Sequence, residues 1–242
     1  MSSTRFPKGL TNVDGDNVLG NMKSPDPSKT FTFWDDFVKV RANDWNVTNG
    51  TNTTGAPTYL LEVGNDGYGT CVFGQSAGTS ADDEYQMAWS GQTSGTDAKQ
   101  IVSLTNTKRT FFKMRFKIDV AGHGVNFGLF PAGSAEVWQV NNDEVSFLSP
   151  PGSLDLKVRV RQNGGAVVND VLVGSLVNDQ NIECAFEWHN GKLRVFVDGS
   201  HVNTFDVPED PTQRYGFANA VKATTATDYE QRIDYVLVAQ DR

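Results

Sequence analysis

The chain has 242 residues, with 23 Gly, 9 Pro, 38% hydrophobic and 11% aromatic residues. That is too apolar for a disordered chain and too rich in turn formers for a helix bundle. A net charge of −8 argues against a nucleic-acid binder, whose phosphate contacts need clustered Lys and Arg, and no apolar run is long enough to cross a membrane as a helix.

Residues 1–30 form the first distinct segment. They are rich in Gly, Asn, Asp, Ser and Pro, with no sustained period, and Pro25-Asp26-Pro27 bars regular structure. They carry a net charge of +1, against −9 for the remainder. This composition predicts an extended arm bearing spaced apolar residues, and about 30 extended residues reach roughly 100 Å. Met1-Ser2-Ser3-Thr4-Arg5-Phe6-Pro7 lacks the apolar stretch of a signal peptide. A reducing compartment is therefore expected, with Cys71 and Cys184 as buried thiols rather than a disulfide.

From residue 31 to 242 the sequence reads as strand after strand. The runs Phe31–Val38, Thr58–Val63, Tyr68–Phe73 and Tyr85–Trp89 come first, separated by polar stretches. Phe112, Met114, Phe116 and Ile118 alternate with Lys113, Arg115, Lys117 and Asp119. Val125–Phe130 follows, and then Leu154, Leu156, Val158 and Val160 alternate with Asp155, Lys157, Arg159 and Arg161. A period of two places apolar side chains on one face and charges on the other. Val168–Val173, Ile182–Trp188, Leu193–Val197 and Ile233–Val238 complete the set. Asn190-Gly191 and Asp198-Gly199 are hairpin signals, because both positions of the turn tolerate positive φ. Residues 182–206 thus read as a three-stranded meander. Many short antiparallel strands with regular turns predict an all-β, two-sheet jelly-roll sandwich.

Candidate chemistry is sparse. Gly74-Gln75-Ser76-Ala77-Gly78 matches the G-x-S-x-G elbow, but no helix follows it as that motif requires. His123, His189 and His201 show no ligand spacing, so neither a metal nor another cofactor is expected. The acidic runs Asp14-Gly15-Asp16, Asp82-Asp83-Glu84 and Asn141-Asn142-Asp143-Glu144 read as solvated turns, with a Ca²⁺ loop as the alternative. Glu183 and Glu187 share one strand face, with Cα atoms about 13 Å apart. They read as solubility charges rather than a glycosidase pair, whose carboxyl groups sit about 5–9.5 Å apart. Trp138 and Tyr215 lie near turns and are the candidate glycan contacts.

The stretch Trp188-His189-Asn190-Gly191-Lys192-Leu193-Arg194-Val195-Phe196-Val197-Asp198-Gly199 resembles a hairpin of concanavalin A-like, laminin G-like sandwiches. The glucanase branch of that superfamily carries an E-x-D-x-x-E strand motif, which does not occur in this sequence. The whole-chain pattern is similar to a family of tailed-phage virion proteins. It runs from Arg5-Phe6-Pro7-Lys8-Gly9-Leu10-Thr11-Asn12-Val13 through Leu19-Gly20-Asn21-Met22 and Trp34-Asp35-Asp36-Phe37 to the C-terminal Asp234–Arg242.

That resemblance implies a non-enzymatic capsid decoration or cement protein, on the exterior of a virion assembled in the host cytoplasm. Its partners would be the major capsid protein and sister subunits, as a dimer or trimer, with no nucleic acid or membrane. The arm would dock through Phe6, Pro7, Leu10, Val13, Leu19 and Met22, with Arg5, Lys8 and Lys23 for charge contacts. A second reading is a carbohydrate-binding module of a virion fibre or capsid surface. A third is a sandwich hydrolase using Ser76.

Overall fold

The computed structural model describes residues 30–37, 45–49, 58–63, 69–75, 84–89, 101–119, 123–131, 143–222 and 229–242. Every regular element among them is a strand. In chain order these are β1 (Thr30–Asp35), β2 (Trp45–Asn49), β3 (Thr58–Val63), β4 (Gly69–Gln75), β5 (Glu84–Trp89), β6 (Val102–Leu104), β7 (Thr110–Ile118) and β8 (Gly124–Pro131). They continue as β9 (Glu144–Ser149), β10 (Asp155–Gln162), β11 (Ala166–Ser175), β12 (Ile182–His189), β13 (Lys192–Val197), β14 (Ser200–Asp206), β15 (Asp210–Lys222) and β16 (Tyr229–Asp241). Residues 1–29, which hold all the arm positions named above, lie outside the described residues, as do Ser76 and Trp138.

The strands make two antiparallel sheets of eight. Sheet A runs β14-β13-β12-β7-β16-β4-β3, with β1 also paired to β16. Sheet B runs β11-β10-β9-β8-β15-β5-β2, with β6 paired to β15. The long strand β16 serves two neighbours along one edge: Tyr229–Ile233 pair with β4 and Val236–Asp241 with β1. The all-β sandwich expected from the period of two is therefore the observed architecture.

Alternation sets which residues meet between the sheets. Phe112, Met114, Phe116 and Ile118 of β7 point inward with Cys184, Phe186 and Trp188 of β12. Val125, Phe127 and Leu129 of β8, and Val145 and Phe147 of β9, face them from sheet B. Phe112 sits at the centre, its ring 5.1 Å from Phe186, 6.0 Å from Phe217, 6.3 Å from Phe127 and 6.4 Å from Phe147. Each such ring contributes about 1.5–3 kcal/mol by leaving water.

Polar ties cross this apolar layer. The Asn219 amide of β15 donates to Gln231 Oε1 of β16 at 2.7 Å. Gln240 Nε2 of β16 donates to the Ser103 carbonyl of β6 at 2.5 Å and to Thr110 Oγ1 at 2.6 Å, and Gln240 Oε1 accepts from the Ser103 amide at 3.2 Å. Asp35, at the end of β1, accepts from the Trp45 indole at 2.9 Å and from the Phe37 amide at 2.8 Å. Each such pairing offsets part of the cost of burying polar atoms and fixes the relative position of the sheets.

The meander appears as expected. Asn190 and Gly191 have φ of +49° and +70°, and Asp198 and Gly199 have +48° and +77°. These are the left-handed values that two-residue hairpin turns require. Trp188, in the first strand of the meander, is fully buried, and its indole donates to the Val207 carbonyl at 3.1 Å.

Four strands of sheet B, β2, β6, β9 and β15, were not apparent from the sequence. β2 and β6 are short. In β15 the outward positions are Gly216, Ala218 and Ala220, so no polar alternation marks it. In β9 the leading Glu144 continues an acidic run and looks like a turn.

Cys184 is a free, buried thiol, and burial pushes its pKa well above the usual thiol range. Cys71 lies on β4, three strand spacings across sheet A from β12, or about 14 Å. Disulfides need Cα atoms within about 7 Å. Mass-spectrometric mapping after alkylation is expected to find Cys184 unmodified in the native protein and fully modified in denaturant.

Candidate functional site

The face of sheet B that points away from the core carries a largely buried polar cluster. On β9 the inward residues are Val145 and Phe147, so Glu144, Ser146 and Leu148 face outward. On β8, Asn126, Gly128 and Phe130 do so by the same alternation. On β10 the outward positions are Lys157, Arg159 and Arg161.

Register brings these together. Arg161 lies directly opposite Glu144, Arg159 opposite Ser146, and Ser146 opposite Gly128. Arg159 also lies opposite Asp170 of β11. Glu144 Oε2 accepts from the Ser146 hydroxyl at 2.8 Å and from the Asn126 amide at 3.2 Å. Glu144 Oε1 stands 3.4 Å from Arg161 Nη1 and 3.9 Å from Arg159 Nη1. Glu144 is 1% exposed, so its carboxylate sits in a poorly solvated place. Burial pushes its pKa up, while the hydrogen bonds from Ser146 and Asn126 and the Arg161 and Arg159 charges pull it down, and burial prevails.

Two local features hold this geometry. Gly128 has φ +152°, and a Cβ there would lie 2.4 Å from the Val145 carbonyl oxygen. Only glycine lets β8 approach β9 this closely beside Ser146. Asp143, just before β9, accepts from the Gly164 and Gly165 amides at 2.8 and 3.0 Å. It thereby pins the start of β9 to the β10–β11 turn and sets Glu144 beside Arg161. Next to the polar cluster, Phe130, Ala218 and Ala220 form a small buried apolar patch, with Ala88 packed against it.

Other sequence candidates fall elsewhere. Tyr215 is not an exposed glycan contact. It is fully buried, pointing inward on β15 with Phe217, and its hydroxyl donates to Asp210 Oδ2 at 2.8 Å. Its place near a turn hid an inward-facing position. Glu183 and Glu187 face outward on β12 as expected, but they are ion-paired rather than freely solvated. Glu187, 5% exposed, lies 3.3 Å from Arg109 and 3.2 Å from Arg194. Glu183 lies 2.7 Å from Lys113 Nζ and accepts from the Tyr235 hydroxyl. His201 bonds Thr204 Oγ1 at 2.9 Å and packs against Phe196. His123 is buried at the start of β8, and burial lowers its pKa.

Sequence reasoning missed Glu144 as a site residue. The strand Glu144-Val145-Ser146-Phe147-Leu148-Ser149 keeps the first glutamate of E-x-D-x-x-E and has Ser at its other two fixed positions. That partial match was the available signal.

No family model matches the chain, and no curated protein matches it. Solved structures do. The carbohydrate recognition domain of Emp47p superposes with a TM-score of 0.58 at 15% identity, over 90% of this chain and 99% of that one. A laminarinase from Flavobacterium sp. UMI-01 gives 0.59 at 15% identity, over 85% of this chain and 98% of that one. Peanut lectin gives 0.54 at 10% identity, over 87% and 97%. The fold is thus the concanavalin A-like jelly-roll sandwich shared by lectins and glucanases.

Two expectations change accordingly. The expectation of a non-enzymatic protein does not stand, because similar structures include the laminarinase, a lichenase and a Bacillus licheniformis β-glucanase. The capsid reading gains no support, since these neighbours are lectins and glucanases and the arm is outside the described residues.

Two measurements check the geometry. Gly128→Ala is expected to cost about 3 kcal/mol or more in chemical denaturation, through collision and unfavourable φ. Glu144→Gln tests the buried carboxylate. A carboxyl whose pKa is raised in the folded state binds its proton more tightly than in the unfolded chain, so it loses stability as pH rises through its titration range. The stability of the wild type relative to E144Q should therefore be highest in acid and fall towards neutral pH, as read by denaturation at a series of pH values.

Proposed function

We propose that this chain is a carbohydrate-recognising sandwich whose ligand approaches the outer face of sheet B beside Glu144. The observation that carries the reading is the cluster of Asn126, Glu144, Ser146, Arg159 and Arg161, held on one face by cross-strand register. Planar amide, carboxylate and guanidinium groups offer the directional hydrogen bonds that fix a hydroxyl-rich ligand. The solved structures that share the sandwich over most of the chain include carbohydrate recognition domains, a lectin and glucanases, which supports a saccharide over other small ligands.

The site is graded. Glu144 and Asn126 are buried, whereas towards the β11 edge the side chains of Arg159, Asp170 and Lys157 are 17%, 29% and 33% exposed. A ligand entering from that edge meets charged donors first and the buried carboxylate last.

The test is a glycan-binding screen of the full chain followed by titration calorimetry on the best oligosaccharide. Saturable binding is expected, weakened at least about tenfold in E144Q, equivalent to about 1.4 kcal/mol. Release of reducing ends, followed in the same mixtures, reads whether the bound sugar is also cleaved. Absence of binding across the screen, or full affinity in a folded E144Q, would overturn the reading.

A further inference from the structure

We propose that two copies of this chain pair edge to edge through β11, antiparallel about a two-fold axis at Leu172, joining their two B sheets into one. The carbohydrate-recognition reading is not needed for this.

Among the described residues six large hydrophobic side chains are exposed. Five of them, Leu154, Val167, Val168, Leu172 and Val177, lie in the stretch 154–177 around the β10–β11 hairpin. β11 ends sheet B, and no described strand pairs with its other side. The N–H and C=O groups along that side are a template that only another extended strand fits. Edge strands are usually protected by Lys, Pro or unpaired charge. β11 has no Lys or Pro, and Asp170 is its one charged residue. Arg159 and Lys157 hold that carboxylate at 3.0 and 3.5 Å. The strand is also held in place, because the Asn169 amide donates to the Asp206 carbonyl of β14 at 3.2 Å.

What fits the template is β11 itself. Val167 lies opposite Arg161 and Leu172 opposite Lys157, so both stand on the outer face with those cations. A regular strand would send residues at this odd spacing to opposite faces. Val168 has no partner on β10, and this bulge restores the phase. Val173 does the same between Leu172 and Gly174. Just past β11, Leu176 is buried and Val177 exposed. Val167, Leu172 and Val177 are thus evenly spaced outward residues, 59%, 56% and 55% exposed. A two-fold axis at Leu172 sets Leu172 against its own copy, and Val167 of each chain against Val177 of the other. The same register sets Val171 opposite Val173 and Asp170 opposite Gly174, so apolar groups meet and like charges do not. An axis at Asp170 would oppose the two carboxylates.

The paired stretch is about 35 Å long. A contact of that width lies at the small end of specific interfaces, below about 1,200 Å² in total. The dimer is therefore weak and concentration-dependent. Pairing uses the in-plane edge and leaves the outer face open, with the two Glu144 clusters five strand spacings apart, about 24 Å.

The experiment is sedimentation velocity of the full chain over about 1–100 μM. A reversible shift from monomer to dimer is expected. Leu172→Lys places two ammonium groups against each other and should leave a monomer throughout. Circular dichroism and melting establish that this exposed variant is folded. Register is read by Leu172→Cys under diamide, which should give a disulfide between the two copies of position 172 in peptide mapping. Val202→Cys, at the exposed apolar position outside the hairpin, should give none. A wild-type monomer across the whole range overturns the inference. A dimer that persists in folded Leu172→Lys, or cross-linking no greater in Leu172→Cys than in Val202→Cys, overturns the assignment to β11. None of these outcomes bears on whether a saccharide binds.

Discussion

The packing of Phe112 is the constraint on which the rest of the molecule depends. Its ring touches a ring from its own sheet, Phe186, and three from the other, Phe127, Phe147 and Phe217. Rings this close can only interdigitate in one relative placement of the sheets, because interiors are packed to crystal-like density. Once Phe127 and Phe147 are committed to that layer, alternation obliges Asn126, Glu144 and Ser146 to face the other way. The polar face of sheet B is thus a consequence of the aromatic core. The buried ties through Gln240 and Asn219 lock the same placement by pairing polar atoms across the layer.

Both outer faces carry cross-strand ion pairs. On sheet A, Glu183 and Glu187 are each matched by cations on neighbouring strands, and the charges form local pairs across the face. On sheet B, Glu144 is paired with Arg161 and Arg159 and is removed from water. Burying a carboxylate without full hydrogen bonding is costly and contributes little to stability even when it is paired. Its presence at the register position opposite Arg161, fixed there by the Asp143 contact with the β10–β11 turn, fits a role in binding better than a role in folding.

Much of the fold was legible because its signals are local. The Asn190-Gly191 and Asp198-Gly199 turns announce a meander, and the alternation in β7 and β10 announces strands with one face inward. β15 was hidden because Gly216, Ala218 and Ala220 occupy its outward positions and leave no polar alternation to read. β9 was hidden because its first residue extends an acidic run. The site was less legible for a deeper reason. Lys157, Arg159 and Arg161 are visible as a charged face, but what lies opposite them depends on pairing with β9, which no local pattern encodes. The same limit misplaced Tyr215, whose nearness to a turn says nothing about which way its side chain points. The resemblance of the Trp188 hairpin to concanavalin A-like sandwiches identified the fold correctly. The finer resemblance to virion proteins rests largely on the ends of the chain, and the solved structures that share the fold include lectins and glucanases.

The central claim is that a saccharide binds this chain at the outer face of sheet B. Its most direct test is backbone amide chemical-shift mapping of the isotope-labelled full chain during titration with a bound oligosaccharide. The account predicts that the perturbed amides cluster on β8, β9 and β10, centred on Asn126, Glu144, Ser146 and Arg159. Perturbations confined to the outer face of sheet A, around Lys113, Glu183 and Arg194, would contradict it.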